Sequence, residues 1–354
     1  MTNIDLLHHR LINQQISATK LTQPEEIVAY MGAMQSQEFG SGKWAIGLRL
    51  PGSTDAGIEQ VFNEGRILRT HVMRPTWHFV APADIRWMQQ LTAHRVHAFN
   101  AYQYRKEGLD AATFSKSNKT IIKVLEGGNY ATRTVLAEAL TKAKIPANGV
   151  RLACLVMYAE LEGIICSGPR QGKQFTYALM DERITTKEKK YSHEEALHEL
   201  ALRYFSSRSP ATVHDFAWWS GLTIKEAKEG IKLLPADFKE MSLGGQEYVI
   251  GPLAGDMKTL KQSTFLMPNY DEYGISYKDR SALKSDKNTL QPDDDDTQYQ
   301  PALIIDGQIG GTWDVKSTKS KATVTTTPWQ PLTKTKQLAV DNAASRYSSF
   351  INNE

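Results

Sequence analysis

The feature that most narrows what this 354-residue chain can fold into is one order of elements that recurs three times. In the first pass Leu6, Leu7 and Leu11 stand at helical spacing, as do Ile27, Met31 and Met34 after them. Pro24 opens that second helix, expected over 24–34, with Glu25 and Glu26 in its first turn. A third helix is expected over 55–65, and the β-branched and aromatic residues of 67–80 read as strand around Pro75. The second pass has a helix over 118–126 closed by Gly127-Gly128, a helix capped by Thr132, another over 150–163, and two strands within 164–179. The strands flank Ser167-Gly-Pro-Arg-Gln-Gly-Lys173, a basic, glycine-containing tip. The third pass reads as helices over 194–206, 212–220 and 223–234, then a hairpin over 238–250 turned at Gly244-Gly245. The repetition weighs more than any single element in it.

Three helices followed by a strand pair is the order of a winged helix. The expected class is α+β, mainly α with β-wings, in three tandem winged-helix modules at 1–110, 111–185 and 186–258. Residues 259–354 change character. An apolar run over 261–273, then Ala302-Leu-Ile-Ile-Asp-Gly-Gln-Ile-Gly-Gly-Thr-Trp313 around an Asp306-Gly307 turn, predict a C-terminal α/β segment with an antiparallel sheet. The acidic run Asp293 to Asp296 is expected to be a solvated loop, because consecutive aspartates cannot all point inward at a metal.

Composition sets the outer bounds. A hydrophobic fraction of 41% with 23% charged residues is that of an ordinary soluble protein. A net charge of +3 permits a polyanionic partner without demanding one. Cys154 and Cys166 alone supply neither a disulfide framework nor a four-cysteine zinc site. No run approaches the roughly 20 apolar residues that span a bilayer, and the N-terminus lacks a signal core, so a cytoplasmic protein without membrane contact is expected.

The residues that carry chemistry are Gln35 and Gln37, two carboxamides flanking Ser36 directly after the apolar stretch of the second helix. A polar pair there is costly to bury unless it is hydrogen-bonded. Glutamine is no general base, yet its carbonyl accepts a hydrogen bond from water and orients it. Such a site suits a reaction whose leaving group is already activated. Two other motifs fail on spacing. His193-Glu-Glu-Ala-Leu-His198 places its second histidine one position too late for a zinc-protease helix, since 197 is Leu197. Phe39-Gly-Ser-Gly-Lys43-Trp44 lacks the first glycine and the hydroxyl of a phosphate loop, which leaves Lys43 as a candidate contact to a DNA phosphate. Alternation over Arg69-Thr-His71-Val-Met-Arg74-Pro-Thr-Trp77-His78 sets Arg69, His71 and Met73 on one face, bordering the glutamines. Arg69, His71, Arg74 and His78 are therefore candidate donors to nucleic acid, with Arg133, Arg170 and Lys173 as backbone-contacting charges on the second module. Trp218 and Trp219, inside an amphipathic helix, are expected in the core.

Taken together, the chain resembles the AlkZ-like family of bacterial winged-helix DNA glycosylases, which includes the AlkX (YcaQ) branch. The landmarks are Met34-Gln-Ser-Gln37, Arg74-Pro-Thr-Trp-His78-Phe-Val, Leu266-Met-Pro-Asn-Tyr-Asp271-Glu-Tyr with Tyr277-Lys-Asp-Arg280, and Leu303 to Trp313, in the same order. Gln-x-Gln sets it nearer the AlkZ branch, and Pro75 stands where the family has a glycine. The resemblance implies a C-shaped arrangement of the modules that receives duplex DNA. It also implies monofunctional hydrolysis, with Gln35 and Gln37 holding the water at C1′ of an alkylated nucleotide. The expected substrates are cationic N7- or N3-alkylated purines or alkylation-derived interstrand crosslinks, and the biology is DNA repair. The expected protein is a monomer without metal, cofactor or obligate protein partner. A non-catalytic winged-helix DNA-binding protein is the alternative, and a scaffold for protein contacts the third reading.

Overall fold

Arg208 and a left-handed glycine decide how the chain enters the glutamine motif, and the first deviation from expectation lies there. The computed structural model describes residues 2–17, 19–257, 263–284, 300–317 and 322–353. Packing groups them into two units: 1–59 with 197–219 and 223–354, and 60–196 with 220–222. In the first unit α1 (Asn3–Asn13) starts on a capping box made by Thr2 and Asp5, and buries Leu6, Leu7 and Leu11. Helix α2 (Pro24–Met31) ends three residues short of the expected 24–34. Gly32, at φ 74°, closes it, and Ala33–Gln35 form strand β1. Helices α3 (Phe39–Arg49) and α4 (Asp55–Asn63) follow.

The second unit opens with the antiparallel pair β2 (Leu68–Val72) and β3 (Arg74–Val80). The register shifts between His71 and Val72, so Pro75 falls inside the irregularity and has no partner on β2 to lose. Helix α5 (Ile85–Lys106) is the longest element here and was not anticipated. Its first half is buried on nearly every side and its second half exposes aromatics, so no single apolar stripe marks it. Helices α6 (Ala111–Leu125), α7 (Arg133–Lys142) and α8 (Gly149–Leu161) surround one core that includes Ile121, Leu136, Leu155 and Ile165. Strands β4 (Ala131–Thr132), β5 (Ile165–Ser167) and β6 (Thr176–Leu179) form a sheet of order β4-β6-β5, with the short α9 (Met180–Arg183) after it.

The chain returns to the first unit along α10 (His193–Arg208), α11 (Val213–Ser220) and α12 (Ile224–Lys232). Strands β7 (Lys239–Leu243) and β8 (Gln246–Ile250) make the expected hairpin, its Gly244 and Gly245 at φ 60° and 79° as a tight primed turn requires. Strand β9 (Phe265–Met267) and the single turn α13 (Glu272–Ile275) precede β10 (Ala302–Ile305), β11 (Gln308–Ser317) and β12 (Ala322–Pro328), a four-stranded sheet of order β12-β11-β10-β9. Helix α14 (Lys334–Asn352) sets Tyr347 and Phe350 against Trp44 of α3, at ring-centre distances of 4.9 and 5.0 Å. The fold is thus α+β, mainly helix with small antiparallel hairpins and sheets. Asp293 to Asp296 lie outside the described residues, and among those described no helix is long and apolar enough to cross a membrane.

The landmark glycines of the last sheet have a packing reason. A Cβ on Gly311 would stand 2.4 Å from the Thr327 carbonyl oxygen and 2.9 Å from Pro328 Cα, both backbone atoms that cannot rotate away. Gly311→Ala is expected to part β11 from β12 and lower the unfolding free energy by roughly 1–3 kcal/mol. A drop in the urea midpoint with an unchanged m value would show it; an unchanged midpoint would refute the clash.

Candidate active site

The glutamine segment is pinned at both ends by one stretch of chain, residues 269–276. At its start the Gln35 amide donates to Glu272 Oε1 at 2.8 Å. At its end Glu38, the residue before α3, has its Oε2 held by Asn269 Nδ2 at 2.7 Å and by Ser41 Oγ at 3.1 Å. Between these anchors Gln35 and Ser36 are buried and Gln37 is exposed.

Glu272 itself is fully enclosed. Its Oε2 accepts from Arg208 Nη2 at 2.8 Å, Trp219 Nε1 at 3.0 Å and Ser276 Oγ at 2.5 Å. Arg208, the last residue of α10, spends its remaining donors on the same neighbourhood. Nη1 reaches the Met31 carbonyl at 2.7 Å and Ser207 Oγ at 2.7 Å, Nη2 the Ala33 carbonyl at 2.9 Å, and Nε Ser276 Oγ at 2.9 Å. The carbonyls that would have continued α2 are therefore taken by a guanidinium, and the amide of Gln35 by a carboxylate. Burial works to raise the Glu272 carboxyl, but the Arg208 charge and the hydrogen bonds from Ser276, Arg208 and the Gln35 amide hold it at about 2.

A second buried pair stands beside the first. Arg49 of α3 grips Asp271 through two bonds of 2.9 Å, bidentate as guanidinium and carboxylate geometry favours. Gln14 accepts from Arg49 Nη2 at 2.7 Å and donates to the Tyr277 hydroxyl at 3.0 Å, which in turn donates to the Arg208 carbonyl at 2.9 Å. Asp271, Glu272, Arg49 and Arg208 were not singled out from the sequence. The available signal was their charge: two adjacent acids inside an apolar run, with Arg49 in α3 and Arg208 at the end of α10, where burial demands a partner.

The basic residues expected at DNA take different positions. Lys43 is buried, with its ammonium 2.6 Å from Asp55 and 2.8 Å from Glu59, so its charge is spent between α3 and α4. In the second unit Arg69 is buried between the rings of Trp77 and Phe175, 4.4 and 4.6 Å away, and burial lowers it to about 10. His71 is buried against Glu160, its ring 4.5 Å from Trp77. His78 is buried with Nδ1 2.9 Å from the Thr76 carbonyl. The expected alternation on β2 does not survive, because both faces of that strand are covered. Arg74, Arg133 and Arg170 are half-buried and Lys173 is exposed; Arg170 lies over Phe175 at 4.9 Å, which joins it to the Arg69 stack. Trp219 is in the core as expected, whereas Trp218 is partly exposed with its indole N–H on the Ile275 carbonyl at 3.1 Å. Among the described residues no group of three or more His, Cys, Asp or Glu is arranged to hold a metal ion.

The glutamine loop rests on a buried ion pair within an α+β frame of helices and small antiparallel hairpins. The family model described as "DNA glycosylase AlkZ-like" matches residues 28–350, and the chain belongs to that family of DNA glycosylases. The fold is shared with the Streptomyces sahachiroi DNA glycosylase AlkZ at a TM-score of 0.75 and 16% identity, over 99% of this chain and 97% of that one. No curated protein sequence matches the chain.

Because the folded-state value of Glu272 lies below its unfolded value, its stabilisation is complete above about pH 4.5 and is lost as pH falls toward about 2. Glu272→Gln leaves Arg208 without its counter-charge and is expected to cost about 3–5 kcal/mol at neutral pH. Urea unfolding near pH 7 and near pH 3 checks both points. The gap between wild type and variant is expected to narrow in acid; a gap that stays constant would mean the carboxylate is not the source of the stability.

Proposed function

We propose that this glycosylase hydrolyses the N-glycosidic bond of cationic N7- or N3-alkylated purines, or of alkylation-derived interstrand crosslinks, in duplex DNA. Gln35 and Gln37 hold the attacking water. The observation that carries the reading is the exposed Gln37 on a segment whose Gln35 amide is held by Glu272 and whose Glu38 side chain is held by Asn269. An N7-alkylated purine already bears positive charge, so its bond to C1′ is weakened before the enzyme acts. The water then needs a place more than it needs a base, and a carboxamide carbonyl supplies one. The carboxylate of Glu38 sets a negative charge one residue further on, favourable to a cationic base and to the developing oxocarbenium ion.

In this reading the reaction leaves a free base and an abasic site, with no Schiff base. Lys43 is no nucleophile, since two carboxylates enclose its ammonium. The three helix–hairpin repeats at 1–110, 111–185 and 186–258 serve as the DNA-facing modules, with 259–354 supplying the clamp beneath the motif. Phosphates meet the basic side chains that reach the surface, Arg74, Arg133, Arg170 and Lys173. The enzyme acts as a monomer in the cytoplasm without metal or cofactor.

The test is base release from a duplex carrying N7-methylguanine, with a crosslinked duplex in parallel. Wild type is expected to exceed the spontaneous rate on at least one of them. Gln37→Ala is expected to lower the single-turnover rate at least about 100-fold, with duplex affinity kept within a few-fold. Gln35→Ala is expected to act in the same direction. Release by wild type that survives both substitutions would move the catalytic role elsewhere. No release from either duplex would favour a binding protein.

A further inference from the structure

The 22 residues of α5 contain no aspartate or glutamate, in a chain that has 39 of them. They carry Arg86, Arg95, Arg105 and Lys106, with His94 and His97. At about 100° per residue, His94, Arg95, Phe99, Tyr102, Arg105 and Lys106 share one arc of the helix about 140° wide. Phe99 is 75% exposed and Tyr102 69%, the two largest values for big apolar side chains among the described residues. The opposite face is accounted for. Val96 and Tyr104 are buried, and His97 stacks on Tyr158 at 4.7 Å and meets Glu162 at 3.1 Å. Glu107, just past the helix, has its carboxylate held by Gln103 at 3.0 Å, away from the arc.

Two rings exposed to this degree do nothing for the fold of the unit that carries them, and a face of one sign does not match an ordinary mixed protein surface. Flanking cations with an unbroken absence of carboxylates complement an evenly spaced polyanion. We infer that the exposed arc of α5 is a contact surface for the sugar–phosphate backbone of duplex DNA. Arg105, Lys106 and His94 meet phosphates there, and Phe99 and Tyr102 pack on the sugar faces between them. The inference rests on the reading that the chain works on duplex DNA, and it adds a surface that the glutamine site and the wing residues do not include. Because the arc includes neither Gln35 nor Gln37, its contribution is to affinity and not to the chemical step.

The full-length protein is titrated into a fluorescein-labelled duplex between about 50 and 200 mM salt. Two double variants are compared with wild type, Phe99→Ser with Tyr102→Ser, and Arg105→Gln with Lys106→Gln. All four side chains are exposed, so circular dichroism melts should match wild type. The aromatic pair is expected to weaken binding about tenfold. The charge pair is expected to weaken it too and to reduce the slope of log K against log salt by about 2. Single-turnover base release at saturating duplex should stay within about twofold of wild type. If wild type binds the duplex and releases base while both variants bind equally well, this surface is overturned and the glycosylase reading stands. If the aromatic variant instead loses a dimer seen by sedimentation, or loses binding to anionic vesicles, with DNA affinity intact, the partner is not DNA. If wild type binds no duplex at all, the underlying reading fails and this surface with it.

Discussion

The ion pair between Arg208 and Glu272 is the contact on which the rest of the site depends, and its energetics explain why it is so heavily hydrogen-bonded. Two charges taken out of water cost several kcal/mol each, and their attraction offsets that only when the remaining donors and lone pairs are also satisfied. Arg208 has five N–H groups and all five find acceptors: Met31 O, Ala33 O, Ser207 Oγ, Ser276 Oγ and the Glu272 carboxylate. Glu272 accepts at both oxygens, and one of its four donors is the Gln35 amide. A network with no loose end is stiff, and here the stiffness is delivered to the backbone that enters the Gln-x-Gln motif. The neighbouring pair, Arg49 with Asp271, extends it to α3, which leaves the motif on the other side.

How much of this was legible in the sequence follows from the kind of signal each part emits. Helices that bury one stripe, such as α1 with Leu6, Leu7 and Leu11, and turns whose residues must adopt positive φ, such as Gly244-Gly245 and Asp306-Gly307, declare themselves locally. The end of α2 did not. Residues 32–34 continue an apolar pattern, and the helix stops where Gly32 takes a positive φ and an arginine 177 positions away claims the Met31 carbonyl. Helix α5 was missed for the opposite reason, since a helix buried all round in one half and aromatic outside in the other has no single period to read.

The site shows the same division. Gln35 and Gln37 stood out because a carboxamide pair beside an apolar run is chemically conspicuous, but their support did not, because hydrogen bonds over 237 positions leave no local trace. Charge sign alone was a poor guide to DNA contacts. Lys43, Arg69, His71 and His78 are inside; the first three stand against partners that the fold brings to them, Asp55 and Glu59, Trp77 and Phe175, and Glu160, while His78 meets the nearby Thr76 carbonyl. A long cation is as useful for stitching buried polar groups together as for meeting phosphate, and sequence spacing does not separate the two uses.

The location of the charges also bears on why neutral glutamines serve at the motif. A carboxylate in the place of Gln37 would bring a stronger base, but it would sit one residue from Glu38, whose charge is already held in position by Asn269 and Ser41. Two anions on adjacent residues repel, and where Asp271 and Glu272 stand side by side each is held by its own arginine. Keeping the buried ion pair one layer back, on Glu272 and Arg208, leaves the two glutamines themselves uncharged, beside the carboxylate of Glu38. Such an arrangement serves a reaction in which the substrate supplies the positive charge and the protein supplies the position. It would serve poorly for a neutral base, whose departure needs a proton donor. In the proposed reading, a preference for cationic lesions would follow from placing the buried ion pair in the support of the motif and not in the motif itself.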